Sequence, residues 1–143
     1  MSYRHTQIGW VTLIVLGAVA AVAATVTASA PGPGPSILVL ILVILFLLFP
    51  TLSTRVEGRS LTVAFGPGVI RRTIDLADVR EVRVVRNSWL SGWGIRWIGT
   101  GWMWNVSGLE AVELEYTDGG RFRIGTDEPE KLAAAVRVGI GRR

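Results

Sequence analysis

The chain has no cysteine, which excludes disulfides and thiolate metal sites. It has one histidine, His5, so a His-based triad or a multi-histidine metal cluster is not available. Lysine is nearly missing too: Lys131 is the single one among fifteen basic residues. Charge itself is absent over a long stretch, with no charged side chain from Thr6 to Thr54. No Gly-rich loop is followed by Lys and Ser/Thr, and Gly92-Trp93-Gly94 does not open a helix as a dinucleotide fingerprint would. Asp75 and Asp78 read as a turn between strands, and Asp127, Glu128 and Glu130 as the start of a helix. These absences leave no catalytic, cofactor-binding or metal-ligating residue to nominate, and a non-enzymatic protein is expected.

Two apolar runs fill the uncharged stretch. The first goes from Ile8 to about Ala30, long enough to span a hydrocarbon core of roughly 30 Å. Trp10 stands at its entry, where an indole suits the headgroup layer. The run is rich in small residues. Gly17 and Ala21 are four apart, as are Ala20, Ala24 and Ala28, which makes them candidates for close helix packing. The second run, Ser36 to about Leu52, is mostly Leu, Ile, Val and Phe and is short for a span. Between them Pro31-Gly32-Pro33-Gly34-Pro35 stops one helix and reverses the chain. Arg4 flanks the first run, and Arg55 and Arg59 follow the second. Positive flanks stay in the cytoplasm, so both chain ends are expected inside and the Pro-Gly turn outside. A rival reading takes Ala28-Ser29-Ala30 as a signal-peptide cleavage site; the long apolar stretch and Pro31 just after the cut argue against it.

After Thr51 the chain carries fourteen basic and all eleven acidic residues, a net of +3. That suits a position near anionic headgroups but is too mixed in sign for nucleic acid. The period here changes to two. Leu61, Val63 and Phe65 alternate with Thr62 and Ala64, and Gly66-Pro67-Gly68 reads as a hairpin turn into Val69–Ile74. Val82 and Val84 share a face across from Arg83. Val112, Leu114 and Tyr116 alternate with Glu113 and Glu115, and Phe122 and Ile124 with Arg121 and Arg123. A three-residue loop, Asp118-Gly119-Gly120, would set Tyr116 opposite Phe122, Leu114 opposite Ile124 and Glu115 opposite Arg123. A final helix is expected from about 128 to 139. It would have an Asp127/Glu130 capping box, Pro129 in its first turn, Leu132 and Val136 on the sheet, and Arg137, Arg142 and Arg143 near its negative end.

Five tryptophans, Trp89, Trp93, Trp97, Trp102 and Trp104, fall within sixteen residues, with Gly92, Gly94, Gly99 and Gly101 among them. Three readings are open. The rings pack the core or cap its mouth; they dip into the lipid interface, with Arg86 and Arg96 meeting phosphates; or they anchor a protein partner. The candidate contact residues are Trp89, Trp93, Arg96, Trp97, Trp102 and Trp104.

Six to seven strands followed by one helix is the order of a pleckstrin-homology-like barrel. The residues resemble the bacterial PH-like domains of small membrane proteins. The resembling stretches are Phe65-Gly66-Pro67-Gly68, Ser88-Trp89, Gly92-Trp93-Gly94-Ile95-Arg96, Ala111-Val112-Glu113-Leu114, Asp118-Gly119-Gly120 and Ile124-Gly125-Thr126-Asp127-Glu128-Pro129. The resemblance covers about Thr51 to Val138. It implies a fold and a membrane-associated, non-enzymatic role, and it carries no ligand. Phosphoinositide binding is not transferred, because the corresponding loop, Glu57-Gly58-Arg59 with Arg55 nearby, is short.

The expected fold is therefore α+β. A two-helix transmembrane hairpin occupies residues 1–52, with spans at about 8–30 and 36–52. A small PH-like antiparallel β-barrel or sandwich with a C-terminal helix occupies 53–143. The expected role is a protein-binding or scaffold module at the cytoplasmic face of the cell membrane. Its partners would be the bilayer and a protein or a second copy of the chain, with no nucleic acid and no cofactor. The alternative is a module that contacts lipid headgroups through residues 89–104.

Overall fold

A computed structural model describes residues 2–141. The chain opens with a strand, β1 (Ser2–Ile8), and passes at Gly9 into helix α1 (Trp10–Ser29). A short turn leads to α2 (Pro33–Leu48), and the chain then returns into β2 (Thr51–Glu57). Strands β3 (Ser60–Phe65), β4 (Ile70–Asp75), β5 (Val79–Arg86), β6 (Gly94–Trp97), β7 (Gly101–Asn105), β8 (Glu110–Tyr116) and β9 (Arg121–Gly125) follow, and α3 (Pro129–Ile140) comes last. Arg142 and Arg143, expected beside the helix's negative end, lie outside the described residues; Arg137 is in the last turn of α3 as expected.

The mixed α+β class holds, but no barrel closes. The strands form two sheets, ordered β1-β2-β3-β4 and β5-β8-β9-β7-β6. Their inner faces share one core. Leu52, Val56, Leu61, Val63 and Phe65 meet Val112, Leu114, Phe122 and Ile124, and all of these are buried. A Leu, Ile or Phe buried in this way contributes about 1.5–3 kcal/mol relative to exposure. Helix α3 packs against β1, β2, β5 and β8 and inserts Leu132, Ala133 and Val136 into the same core. It thus stands between the sheets on that side instead of a further strand pairing. The second sheet is also not purely antiparallel, because β7 and β9 run parallel, Gly101 beside Arg121 and Trp104 beside Ile124.

Both expected hairpins form. The turn after Phe65 closes with Phe65 opposite Ile70 and Gly68 N–H donating to Phe65 C=O. The β8–β9 loop has three residues but sits one position earlier than expected, at Thr117-Asp118-Gly119. Tyr116 N–H donates to Gly120 C=O, Gly119 N–H donates to Tyr116 C=O, and Gly119 takes the positive φ of 86°. The pairs are therefore Leu114–Phe122, Val112–Ile124, Glu113–Arg123 and Glu115–Arg121. The shift of two residues keeps every side chain on its expected face. The capping box does not form. Thr126 Oγ accepts from Glu128 N–H at 3.1 Å, while the Asp127 carboxylate turns to His5 Nε2 at 2.5 Å.

The helices differ from expectation at their inner ends. Pro33 and Pro35 lie inside the first turn of α2, where proline's missing N–H has no intrahelical partner to lose. The helix stops at Leu48, so Thr51 and Leu52 belong to a strand and not to a span. Among the described residues only α1 is long and apolar enough to cross a membrane. The helices pack on each other, and a narrow seam of shielded residues runs along each, Leu16, Ala20, Ala23 and Thr27 on α1 and Pro35, Val39, Leu42 and Leu45 on α2. Ala23 and Leu42 are its buried members. Of the expected small-residue face only Ala20 joins this seam; Gly17, Ala21, Ala24 and Ala28 are exposed.

Candidate membrane-interface site

The strands on either side of the hairpin pair with each other. Every residue of β1 has a partner on β2, from Ser2 opposite Glu57 to Ile8 opposite Thr51, and Gly9 N–H donates to Pro50 C=O at 2.8 Å. The chain thus leaves the β domain and re-enters it at one point. A side chain at Gly9 would press on Val106 and on the Pro50 carbonyl, which keeps this neck narrow. Thr12, in the first turn of α1, donates its hydroxyl to Val106 C=O at 2.8 Å. At the other foot the Leu48 carbonyl approaches Gly66 so closely that a Cβ there would lie 2.5 Å from it. Gly66 also takes a φ of 49°, so the turn requires glycine twice over.

Beyond the neck the hairpin presents apolar surface nearly all round. Ile14, Val15, Val22, Ile37, Leu40, Ile44 and Leu47 are all exposed. An exposed apolar surface of this extent marks contact with something other than water.

The Trp-rich segment lies at the foot of the hairpin. After β5, Asn87 N–H donates to Leu109 C=O, and Ser88 Oγ caps a single 3₁₀ turn at Leu90 N–H. That turn holds Trp89 and Leu90 out of the core, with Trp89 72 % exposed. Gly92 follows with a φ of 67°, and β6 begins at Gly94. Trp89, Leu90, Trp93, Ile95 and Arg96 then form one wall of a groove of about 720 Å³. Val11, Val15 and Leu16 of α1, Leu45 and Phe49 at the end of α2, and Phe65 and Val106 of the β domain complete it.

The candidate residues therefore divide. Trp104 is core: it is 8 % exposed, with its ring 5.3 Å from Phe65 and 5.8 Å from Phe122. Trp89, Trp93 and Arg96 line the groove. Trp97 and Trp102 pair edge to face at 5.6 Å near the opposite end of β6 and β7, and both are exposed. Arg86, the other arginine expected to meet phosphate, instead bonds Glu110 at 3.1 Å. The hairpin's contribution to the groove has no local sequence signal, because Val11 and Leu45 join Trp93 only through the β1–β2 pairing.

Charges elsewhere on the second sheet are matched. Arg123 donates to Glu113 at 2.5 and 3.1 Å and to Asn87 Oδ1 at 2.9 Å, and Arg121 lies 3.6 Å from Glu113 and 3.7 Å from Glu115. Arg80 bonds Glu115, and Arg83 bonds Glu81 at 2.6 and 2.8 Å. The hydrogen bond from Arg83 holds the Glu81 carboxyl below its ordinary value. On the first sheet, His5 turns one ring nitrogen to Asp127 at 2.5 Å and the other to Glu128 at 3.4 Å. The bond from Lys131 lowers the Glu128 carboxyl, and burial raises the Tyr3 phenol to about 12, with the Glu128 charge adding to the rise.

No protein-family model matches the chain, and no curated protein is similar to it.

Proposed function

We propose that the protein is a non-enzymatic module anchored by a two-helix membrane hairpin, with its β domain held against the leaflet from which the hairpin rises. The pairing of β1 with β2 carries this reading. If α1 crosses the bilayer, α2 has to bring the chain back, because Thr51 is paired opposite Ile8 and Gly9 N–H donates to Pro50 C=O. Sixteen residues of α2 reach only about 24 Å at 1.5 Å per residue, so the bilayer thins locally around it. Arg4 and Arg55 stand side by side on β1 and β2, and positive charge at both feet favours a cytoplasmic β domain.

Of the two roles considered, headgroup contact fits the geometry better. Trp89, Leu90 and Trp93 project at the level of the neck, where indole rings favour the interface. The PH-like resemblance is compatible with two sheets and a C-terminal helix around one core. The scaffold reading draws on Trp97 and Trp102, an exposed aromatic pair away from the groove and suited to a protein partner or a second copy.

The absence of native cysteine makes the test direct. Ser2→Cys, Ser60→Cys and Ser36→Cys are introduced singly and labelled with an impermeant maleimide in intact and opened cells. Ser2→Cys and Ser60→Cys should label only after opening, and Ser36→Cys in intact cells. Labelling of all three from one side would overturn the anchor. In vesicles carrying a headgroup-level fluorescence quencher, Trp89→Phe and Trp93→Phe should each reduce quenching more than Trp97→Phe. Equal effects would favour the scaffold role.

A further inference from the structure

Building on the membrane-anchored orientation proposed above, we propose that the groove at the foot of the hairpin holds one anionic phospholipid. Its phosphate rests on the Arg96 guanidinium and its acyl chains lie along α1 and α2. The groove's volume is that of a ligand site and its walls are almost wholly apolar. Its polar residues Thr12 and Asn105 are already engaged: Thr12 bonds Val106, and Asn105 bridges the turn to Ser107 and Gly108. Among the described residues, Arg96 is the one charged residue lining it, and no carboxylate lines it.

On the same sheet Arg80, Arg83, Arg86, Arg121 and Arg123 all face carboxylates. Among the described residues Arg96 has neither an ion pair nor a hydrogen bond to protein. Its position is nevertheless built. A Cβ at Gly92 would fall 3.0 Å from the guanidinium carbon, 3.1 Å from Nη1 and 3.2 Å from Nε, so the missing side chain makes the seat. A planar guanidinium held beside an apolar cleft matches two phosphate oxygens at once. The opposite wall is made of the first turns of α1 and the last turns of α2, which places the seat at headgroup depth. Apolar walls of this extent select a lipid over free phosphate, which would gain nothing from Val11, Val15 and Leu45.

The test uses the full chain in detergent, with native mass spectrometry against phosphatidylglycerol, phosphatidylcholine and inorganic phosphate. A one-to-one phosphatidylglycerol adduct is expected, not displaced by inorganic phosphate and weaker with phosphatidylcholine. Arg96→Gln should weaken it by about tenfold or more, in line with loss of a charge-assisted pair. Gly92→Ala should weaken it as well, by filling the seat. Arg86→Gln removes the same charge from the same sheet and should leave the adduct unchanged. An adduct that survives Arg96→Gln, falls equally with Arg86→Gln, or yields to inorganic phosphate overturns the proposal. If Arg96→Gln unfolds early, Arg96→Lys replaces it. The lysine ammonium lacks the fork, so it should bind more weakly than wild type, and unchanged binding overturns the proposal. Correct cysteine labelling without an Arg96-dependent adduct removes the groove's ligand alone. Labelling of Ser36→Cys from the side of Ser60→Cys removes the anchor beneath it.

Discussion

A methyl group at Gly101 would run into the Arg121 carbonyl where the parallel strands β7 and β9 approach most closely. Backbone on both sides leaves nothing flexible to yield. Gly101→Ala should therefore cost about 1–3 kcal/mol or more, read from denaturant unfolding. Gly17→Ala, with open space around the position, should leave unfolding unchanged. Glycine at 101 reads in the sequence as part of an irregular Trp-Gly segment; the reason for it emerges only with the partner strand twenty residues on. The tyrosines give a second residue-level test. Burial raises both phenols, Tyr3 to about 12 and Tyr116 in the same direction. A phenol whose folded pKa is raised disfavours its ionised form in the fold. Stability is thus unaffected below the unfolded value near 10 and falls as pH rises from there through about 12. In a Tyr116→Phe background, phenolate absorbance should appear late and together with unfolding. Titration of Tyr3 near 10 with the fold intact would contradict the burial described.

At the scale of elements, what the sequence made legible follows from what each pattern encodes. Leu61-Val63-Phe65 and Val112-Leu114-Tyr116 alternate cleanly because one face is apolar, and both strands stand where the period puts them. Strand β1 escapes that reading. Its inward face is Tyr3, His5 and Gln7, and Gln7 is buried by donating to Ser107 C=O at 3.0 Å, with no apolar stripe to announce it. Its partner β2 was hidden differently, since Leu52 extends an apolar run that looks continuous with the helix. The proline-rich segment separates α1 from α2 as its composition implies, but Pro33 and Pro35 already belong to the first turn of α2. The groove shares the difficulty of β1, being assembled from segments some eighty residues apart. The helix seam illustrates the limit of counting small residues. Spacing alone nominates Gly17, Ala20, Ala21, Ala24 and Ala28; of these only Ala20 is shielded, and Ala23, which the spacing did not nominate, is buried. Ala23→Leu should loosen the hairpin, measured as a lower unfolding temperature in detergent, because it overfills a closed contact. Ala24→Leu, on the exposed face, should be tolerated.

Taken whole, the molecule is one β domain from which a hairpin extends, with its first strand stitched to the sheet on the near side. That arrangement bears on the signal-peptide alternative. Cleavage after Ala30 would remove β1 and with it the edge of the first sheet, the His5 contacts to Asp127 and Glu128, and the Thr12 bond to Val106. The folded protein should accordingly keep residues 1–30, as its intact mass will report; a species beginning at Pro31 would refute this.

The stitched neck also imposes an order of events. During translation β1 leaves the ribosome first, but the strand it zips onto is made only after both helices. For some forty residues of synthesis β1 has no permanent neighbour. The first sheet therefore cannot be completed until both helices have been made and the chain has turned back, so the edge strand that comes first in the chain waits for a partner made some forty residues later.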